Sequence, residues 1–154
     1  MNQILWTPTQ DQIDASQMEA FRKQVNARFK IELQDYHELH QWSVSNVSDF
    51  WKGIWGFMAI EYSSDYSQVV DDESKMPGAK WFDGARLNFA ENLLRVRSNK
   101  PAIHFKGEDQ PVRTLTYNEL FEAVEKLASA LRKMGVQKGD RVAGFMPNMP
   151  ETII

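Results

Sequence analysis

Cysteine is absent from the 154 residues, which excludes a disulfide framework, cysteine-ligated zinc and a thiol nucleophile. That absence accords with a cytoplasmic location, the default expectation, without demanding it. No apolar run approaches the roughly 20 residues of a membrane span. Met1 is not followed by the basic stretch and apolar core of a signal peptide. The eight glycines are scattered, with neither GxGxxG nor GxxxxGK spacing, so no phosphate-cradling loop is visible. A GxSxG nucleophile elbow is also missing, and the serines have no evident histidine partner. Excess positive charge is lacking as well. The net charge of −3 gives no support for binding nucleic acid or an acidic membrane. What is present, 42% hydrophobic and 25% charged residues, is the composition of an ordinary globular protein with a modest core.

The chain divides into two unlike parts, 1–98 and 99–154. The first is helical in pattern and rich in aromatics. Ser16 and Glu19 have the spacing of a capping box, followed by Met18, Phe21, Val25 and Phe29 at helical intervals. A second helix is expected from Asp35, burying Leu39 and Trp42. A third is expected from Ser45 or Ser48, carrying Phe50, Trp51, Ile54, Trp55, Phe57 and Met58. This third segment is apolar on more than one face, which predicts packing between two other elements. Residues 61–84 read as one long irregular stretch with a turn at Met76-Pro77-Gly78. A short helix from Asn88 to about Arg95 would bury Phe89, Leu93 and Leu94.

From Lys100 the pattern changes to strand, helix, strand, helix, the beginning of an α/β layer architecture, α+β within this piece. Ala102–Phe105 and Thr114–Thr116 are strand candidates joined by a turn at Gly107. Thr116 and Glu119 make a second capping box. Leu120, Val124, Leu127, Leu131 and Met134 then share one helix face, and Gly135 suits its C′ position. Arg141–Met146 reads as a buried strand. In Asn148-Met149-Pro150-Glu151, Asn148 reads as the N-cap of a further helix, and the sequence stops at Ile154. The expectation is therefore the front piece of a longer protein, truncated within its second part. Its unpaired sheet edge and exposed apolar surface would favour self-association.

Candidate chemistry is sparse. His37 and His40 have HxxH spacing, a weak metal signal beside the reading as solvated polar residues on an amphipathic helix. His104 alternates with apolar neighbours and reads as a structural histidine. Arg86, Arg95, Arg97 and Lys100 would attract a phosphorylated ligand; the plainer reading for Arg95 and Arg97 is charge at a helix C-terminus. The acidic run Asp71-Asp72-Glu73 reads as a solvated loop, since adjacent acids do not by themselves converge on one ion.

Two stretches carry a family resemblance. Met76-Pro77-Gly78-Ala79-Lys80-Trp81-Phe82-Asp83-Gly84-Ala85-Arg86-Leu87-Asn88-Phe89-Ala90-Glu91-Asn92-Leu93-Leu94 resembles the N-terminal extension of acetoacetyl-CoA synthetases. Leu115–Leu120, Gly135–Val142 and Met146–Glu151 resemble the opening of the AMP-binding domain of acyl-CoA synthetases, in the adenylate-forming superfamily. Acetyl- and propionyl-CoA synthetases usually follow the first stretch with Asp-Arg-His, where Leu93-Leu94-Arg95 stands here.

The resemblance implies a ligase that uses acetoacetate, ATP with Mg²⁺, and coenzyme A, forming an acyl-adenylate and then the thioester. Mg²⁺ would neutralise phosphate charge. The family's catalytic motifs match no position of this chain, so no catalytic, cofactor-binding or metal residue is assigned and the piece alone is expected to be inactive. The alternatives are part of another short-chain (acetyl or propionyl) synthetase, or a non-catalytic helical interaction module.

Overall fold

The computed structural model describes residues 5–154, so Met1, considered above for a leader, lies outside the described residues. The chain forms two compact units, Met1–Asn88 and Phe89–Ile154.

The first unit is built on α1 (Gln10–Asp14), α2 (Gln17–Phe29), α3 (Tyr36–Ser45) and α4 (Val47–Phe57). Helix α1 was not expected; Thr9 and Gln12 form a full capping box at its start. Ser16 caps α2 by accepting the Glu19 N–H at 3.1 Å. The reciprocal half of the expected box is absent, because the Glu19 carboxylate instead takes Arg22 Nε at 2.7 Å and Lys23 Nζ at 3.3 Å. Two cations on the next turn outcompete one backbone N–H for it.

Lys30 ends α2 in the left-handed conformation. Asn26 then holds the connection to α3 in both directions, donating to the Leu33 carbonyl and accepting the Leu33 N–H, each at 2.9 Å. Asp35 caps α3 as expected, taking the Glu38 N–H at 2.9 Å. Phe21, Val25 and Leu39 form the buried centre, with Trp42, Phe50, Ile54 and Phe57 packed around it. Full burial of side chains of this size is worth about 1.5–3 kcal/mol each.

Helix α4 is apolar on two faces because it has two neighbours. Phe50 and Phe57 meet Phe21 edge-on at 5.9 and 5.1 Å. On the other side Trp55 stacks on Phe82 at 4.7 Å and meets the Tyr66 ring at 5.3 Å. Its N-terminus lacks a local side-chain cap. Glu73 supplies one from 25 residues away, accepting the Ser48 N–H at 3.0 Å.

Residues 61–84 are more ordered than the sequence reading allowed. They contain β1 (Gln68–Val70) and β2 (Trp81–Asp83), paired antiparallel with Gln68 opposite Asp83 and Val70 opposite Trp81. Three-residue strands are too short for alternation to register as a pattern. Val69 and Val70 are buried.

The second unit runs through α5 (Phe89–Leu93), β3 (Pro101–Phe105), β4 (Arg113–Thr116), α6 (Tyr117–Lys133) and α7 (Pro150–Ile153). Of the three residues expected to be buried around α5, only Leu94 is; Phe89 and Leu93 are 75% and 60% exposed. One turn and a half of helix turns a single narrow face inward. β3 and β4 pair antiparallel, with Ile103 opposite Leu115 and a shift of register between Pro101 and Ile103.

The N-terminus of α6 is fully partnered. Tyr117 and Asn118 N–H groups donate to the Lys100 and Ser98 carbonyls, and Glu119 N–H to Thr116 Oγ1. The Thr116–Glu119 box is complete, with the Thr116 N–H on Glu119 Oε2 at 2.8 Å. Gly135 follows the helix at φ +87°, a conformation that a Cβ would disfavour.

Two expectations near the end fail. Arg141–Met146 is not a strand and is exposed, with Phe145 wholly so. A lone segment gains no ladder hydrogen bonds, and no described strand runs beside it. The N-cap of α7 is Met149, not Asn148, with Pro150 in the first turn. Pro150 is fully buried, which fixes the helix start one residue later. The fold is thus mixed α/β as expected, α+β in this piece, since both strand pairs are antiparallel.

Candidate functional site

The Trp81–Asn88 part of the first resemblance stretch is anchored inside the first unit. Phe82 sits at φ +49°, a strained setting for a bulky residue, and is held there by Trp55 and Tyr66, whose rings lie 4.7 and 5.2 Å away. Its carbonyl accepts the Ala85 N–H at 3.0 Å, closing a tight turn through Gly84 at φ +85°. Arg86 then pairs with Ser64: its N–H donates to the Ser64 carbonyl at 3.0 Å, and its carbonyl accepts the Ser63 N–H at 2.7 Å. Ser67 donates both N–H and Oγ–H to the Asp83 carbonyl. These residues build a brace of backbone bonds and stacked rings.

The acidic run does not converge on one point. Asp71 takes Lys75 Nζ at 2.7 Å and the Lys80 N–H at 2.8 Å. Lys75 foremost, then the Lys80 N–H, pulls its carboxyl down to about 2. Asp72 serves Ser74 within the same loop, at 2.9 Å to its N–H and 2.6 Å to its hydroxyl. Glu73 turns away to α4. Among the described residues no group of three or more His, Cys, Asp or Glu could hold a metal ion.

His37 and His40 both lie against the Tyr36 ring, at 5.7 and 6.1 Å between centroids. His104 is exposed on β3 and shares a 3.0 Å hydrogen bond with Thr114 Oγ1 across the strand pair. Of the basic residues, Arg86 belongs to the first unit and Arg95, Arg97 and Lys100 to the second. Arg97 lies 3.3 Å over the Phe121 ring, a cation–π contact that no sequence pattern announces. Arg86 is engaged through its backbone in the Ser64 bridge.

Four carboxyls are displaced downward from their ordinary values. Glu19 falls from 4.5 to about 2, chiefly through its Arg22 hydrogen bond and against desolvation. Glu119 is lowered by the Thr116 N–H and hydroxyl. Glu151, in the first turn of α7, is lowered by its ion pair with Arg113 of β4. Asp71 is the fourth, and all four serve local structure: an ion pair within α2, a cap, a turn and a strand-to-helix tie.

The resemblance implies ATP, Mg²⁺ and coenzyme A, for which the described residues offer no assembled donor set. No described glycine-rich loop offers successive N–H groups, the acids of the 71–73 run are engaged at separate places, and no described group of three or more His, Cys, Asp or Glu could hold a metal ion. No chemical step is assigned to residues of this chain.

Comparison with known proteins gives the context. Residues 36–93 match the family model "Acetyl-coenzyme A synthetase N-terminus", and residues 89–154 match "AMP-binding enzyme". The acetoacetyl-CoA synthetase of Macaca fascicularis is 41% identical over 98% of this chain and 23% of its own length. That of Rhizobium meliloti (strain 1021) is 42% identical over 97% of this chain and 23% of its own length. The solved acetoacetyl-CoA synthetase from Streptomyces lividans superposes with a TM-score of 0.89 at 35% identity, over 99% of this chain and 24% of that one. The chain thus spans about a quarter of the length of the curated relatives it matches. With both family models matched in order along it, the chain is similar over nearly its whole length, in sequence and in fold, to the N-terminal part of acetoacetyl-CoA synthetases.

Proposed function

We propose that this chain is the N-terminal portion of an ATP-dependent acetoacetate–CoA ligase and contributes scaffold rather than catalytic groups. The observation that carries the proposal is the alignment at about 40% identity to acetoacetyl-CoA synthetases, which runs through both units. Residues 1–98 serve as the helical extension and 99–154 as the start of the AMP-binding domain. The complete enzyme takes acetoacetate, ATP, Mg²⁺ and coenzyme A, joins the acid to AMP, and transfers the acyl group to the thiol. This chain alone carries no catalytic, cofactor-binding or metal residue and is inactive by itself. The complete enzyme is read as cytoplasmic and as acting on small molecules rather than on nucleic acid or membranes; no described helix is long and apolar enough to cross a membrane.

The match of residues 36–93 to the acetyl-CoA synthetase model favours a second reading, a ligase for acetate or propionate. A chimera tests the scaffold role: this chain replaces the aligned segment of the Rhizobium meliloti relative, and ATP–pyrophosphate exchange is followed. Exchange dependent on acetoacetate is expected. A folded chimera without exchange contradicts the proposal.

A further inference from the structure

The two apolar faces of α4 serve two separate clusters. Phe50, Ile54 and Phe57 pack on the buried centre formed by Phe21, Val25 and Leu39. Trp55 is not among the residues packed on that centre and faces residues 61–88 instead. Three rings of that segment gather on its indole: Phe82 stacks at 4.7 Å, Tyr66 meets it edge-on at 5.3 Å, and Tyr62 lies tilted at 5.5 Å. Trp81 adds an edge contact to Trp51 at 6.2 Å, both rings being half-exposed. Val69 and Val70 are buried, yet neither belongs to the helix cluster.

The backbone bonds of the segment join its own two legs. Ser63 N–H donates to the Arg86 carbonyl at 2.7 Å, Ser67 N–H to the Asp83 carbonyl at 2.8 Å, and Asp71 N–H to the Lys80 carbonyl at 3.1 Å. A two-stranded pair is marginal by itself in water, so a segment that leaves α4 loses these bonds too. Its backbone is also strained. Phe82 at φ +49° is held left-handed by its ring contacts, and Ala59, where the chain leaves α4, stands at φ +46°. Strain of this kind at Phe82 raises the open fraction about 5- to 150-fold over that of an unstrained residue.

We propose that residues 61–88 are a strap that detaches from α4 and unfolds in a single step while α2, α3 and α4 stay packed, with Trp55 as its point of attachment. Segments with few buried contacts open in such cooperative units well below the cost of global unfolding. Opening takes Phe82, Tyr66 and Tyr62 off Trp55 together, lets Phe82 return to negative φ, and withdraws the Glu73 carboxylate from the Ser48 N–H of α4. The Phe21–Val25–Leu39 centre stays covered, because no strap residue packs on it. The strap carries the Trp81–Asn88 brace, which is therefore made and unmade with it. This device does not rest on the ligase reading.

The test is hydrogen–deuterium exchange, read by peptide mass spectrometry, on the polypeptide encoded by the complete reading frame. Peptides covering 63–71 and 80–86 are expected to exchange together, about tenfold or more faster than those of α2 and α3. Trp55→Leu removes three ring contacts and should speed the strap by a further factor of about ten or more, with α2 and α3 unchanged. Tyr66→Leu removes two and acts in the same direction where the first variant misfolds. Strain has its own signature. Phe82→Ala and Phe82→Gly lose the same ring, but glycine takes φ +49° freely, so the strap should exchange several-fold more slowly in the glycine variant. Strap peptides as slow as α2, legs that exchange independently, equal acceleration of α2 in a ring variant, or an alanine variant as slow as the glycine one overturns the proposal.

Discussion

Replacing Glu73 with alanine should destabilise α4, although Glu73 lies in an exposed acidic loop far from that helix in sequence. Asn46 precedes α4 in position to cap it, but its amide donates backward to the Trp42 carbonyl at 3.1 Å. The Ser48 N–H therefore relies on Glu73 Oε1 at 3.0 Å. Loss of a side-chain helix cap costs about 0.5–2 kcal/mol, centred near 1. The carboxylate also faces the positive helix end, an effect of about 0.3–1 kcal/mol that overlaps the first and is discounted here for exposure. A net loss of about 1 kcal/mol is expected. With a urea m-value of about 1–3 kcal/mol/M, the midpoint falls by roughly 0.3–1 M. Glu73→Gln, which keeps a carbonyl oxygen, should recover much of the loss. Asp72→Ala removes a carboxylate that serves only its own loop and should change stability by less than about 0.5 kcal/mol. Equal midpoints for Glu73→Ala and the unaltered chain, or equal losses at Asp72 and Glu73, would refute the long-range cap.

Thr116→Ala should cost about 0.5–2 kcal/mol by opening the α6 capping box, with Thr116→Ser close to neutral, read from urea midpoints. Acid should destabilise the fold through Glu19 and Asp71, whose folded values of about 2 lie below their ordinary 4.5 and 3.8. A depressed folded value means that the unfolded chain binds more protons, so stability is intact above about pH 4.5 and falls toward pH 2. The urea midpoint should be flat from neutral pH to that point and then drop, less steeply in Glu19→Gln. The chain should self-associate through its exposed apolar residues, among them Phe145, Met134 and Val142, or through the edges of β3 and β4. Sedimentation velocity should show concentration-dependent growth that Phe145→Asp reduces, and a monodisperse monomer that binds no hydrophobic dye contradicts this.

What the sequence made legible were elements whose determinants are local. Asp35 and Thr116 each announce a helix by a side chain that reaches three residues ahead, and both caps form. Gly135 marks the end of α6 because its positive φ is a one-residue property. Elements that depend on distant partners were missed or misread. The β1–β2 pair needs residues 68 and 83 brought together, and neither strand is long enough to alternate visibly. Glu19 satisfies the spacing of a capping box, yet its carboxylate goes to Arg22 because charge outweighs spacing. Arg141–Met146 has the composition of a strand, but a strand exists only when paired.

The central claim, that this chain opens an acetoacetate–CoA ligase, is tested most directly on the polypeptide encoded by the complete reading frame that contains it. The measurement is ATP–pyrophosphate exchange with acetoacetate and acetate compared at equal concentration. The account predicts exchange dependent on acetoacetate and faster with it than with acetate. Exchange much faster with acetate contradicts the substrate assignment, and no exchange with any short-chain acid contradicts the ligase assignment itself.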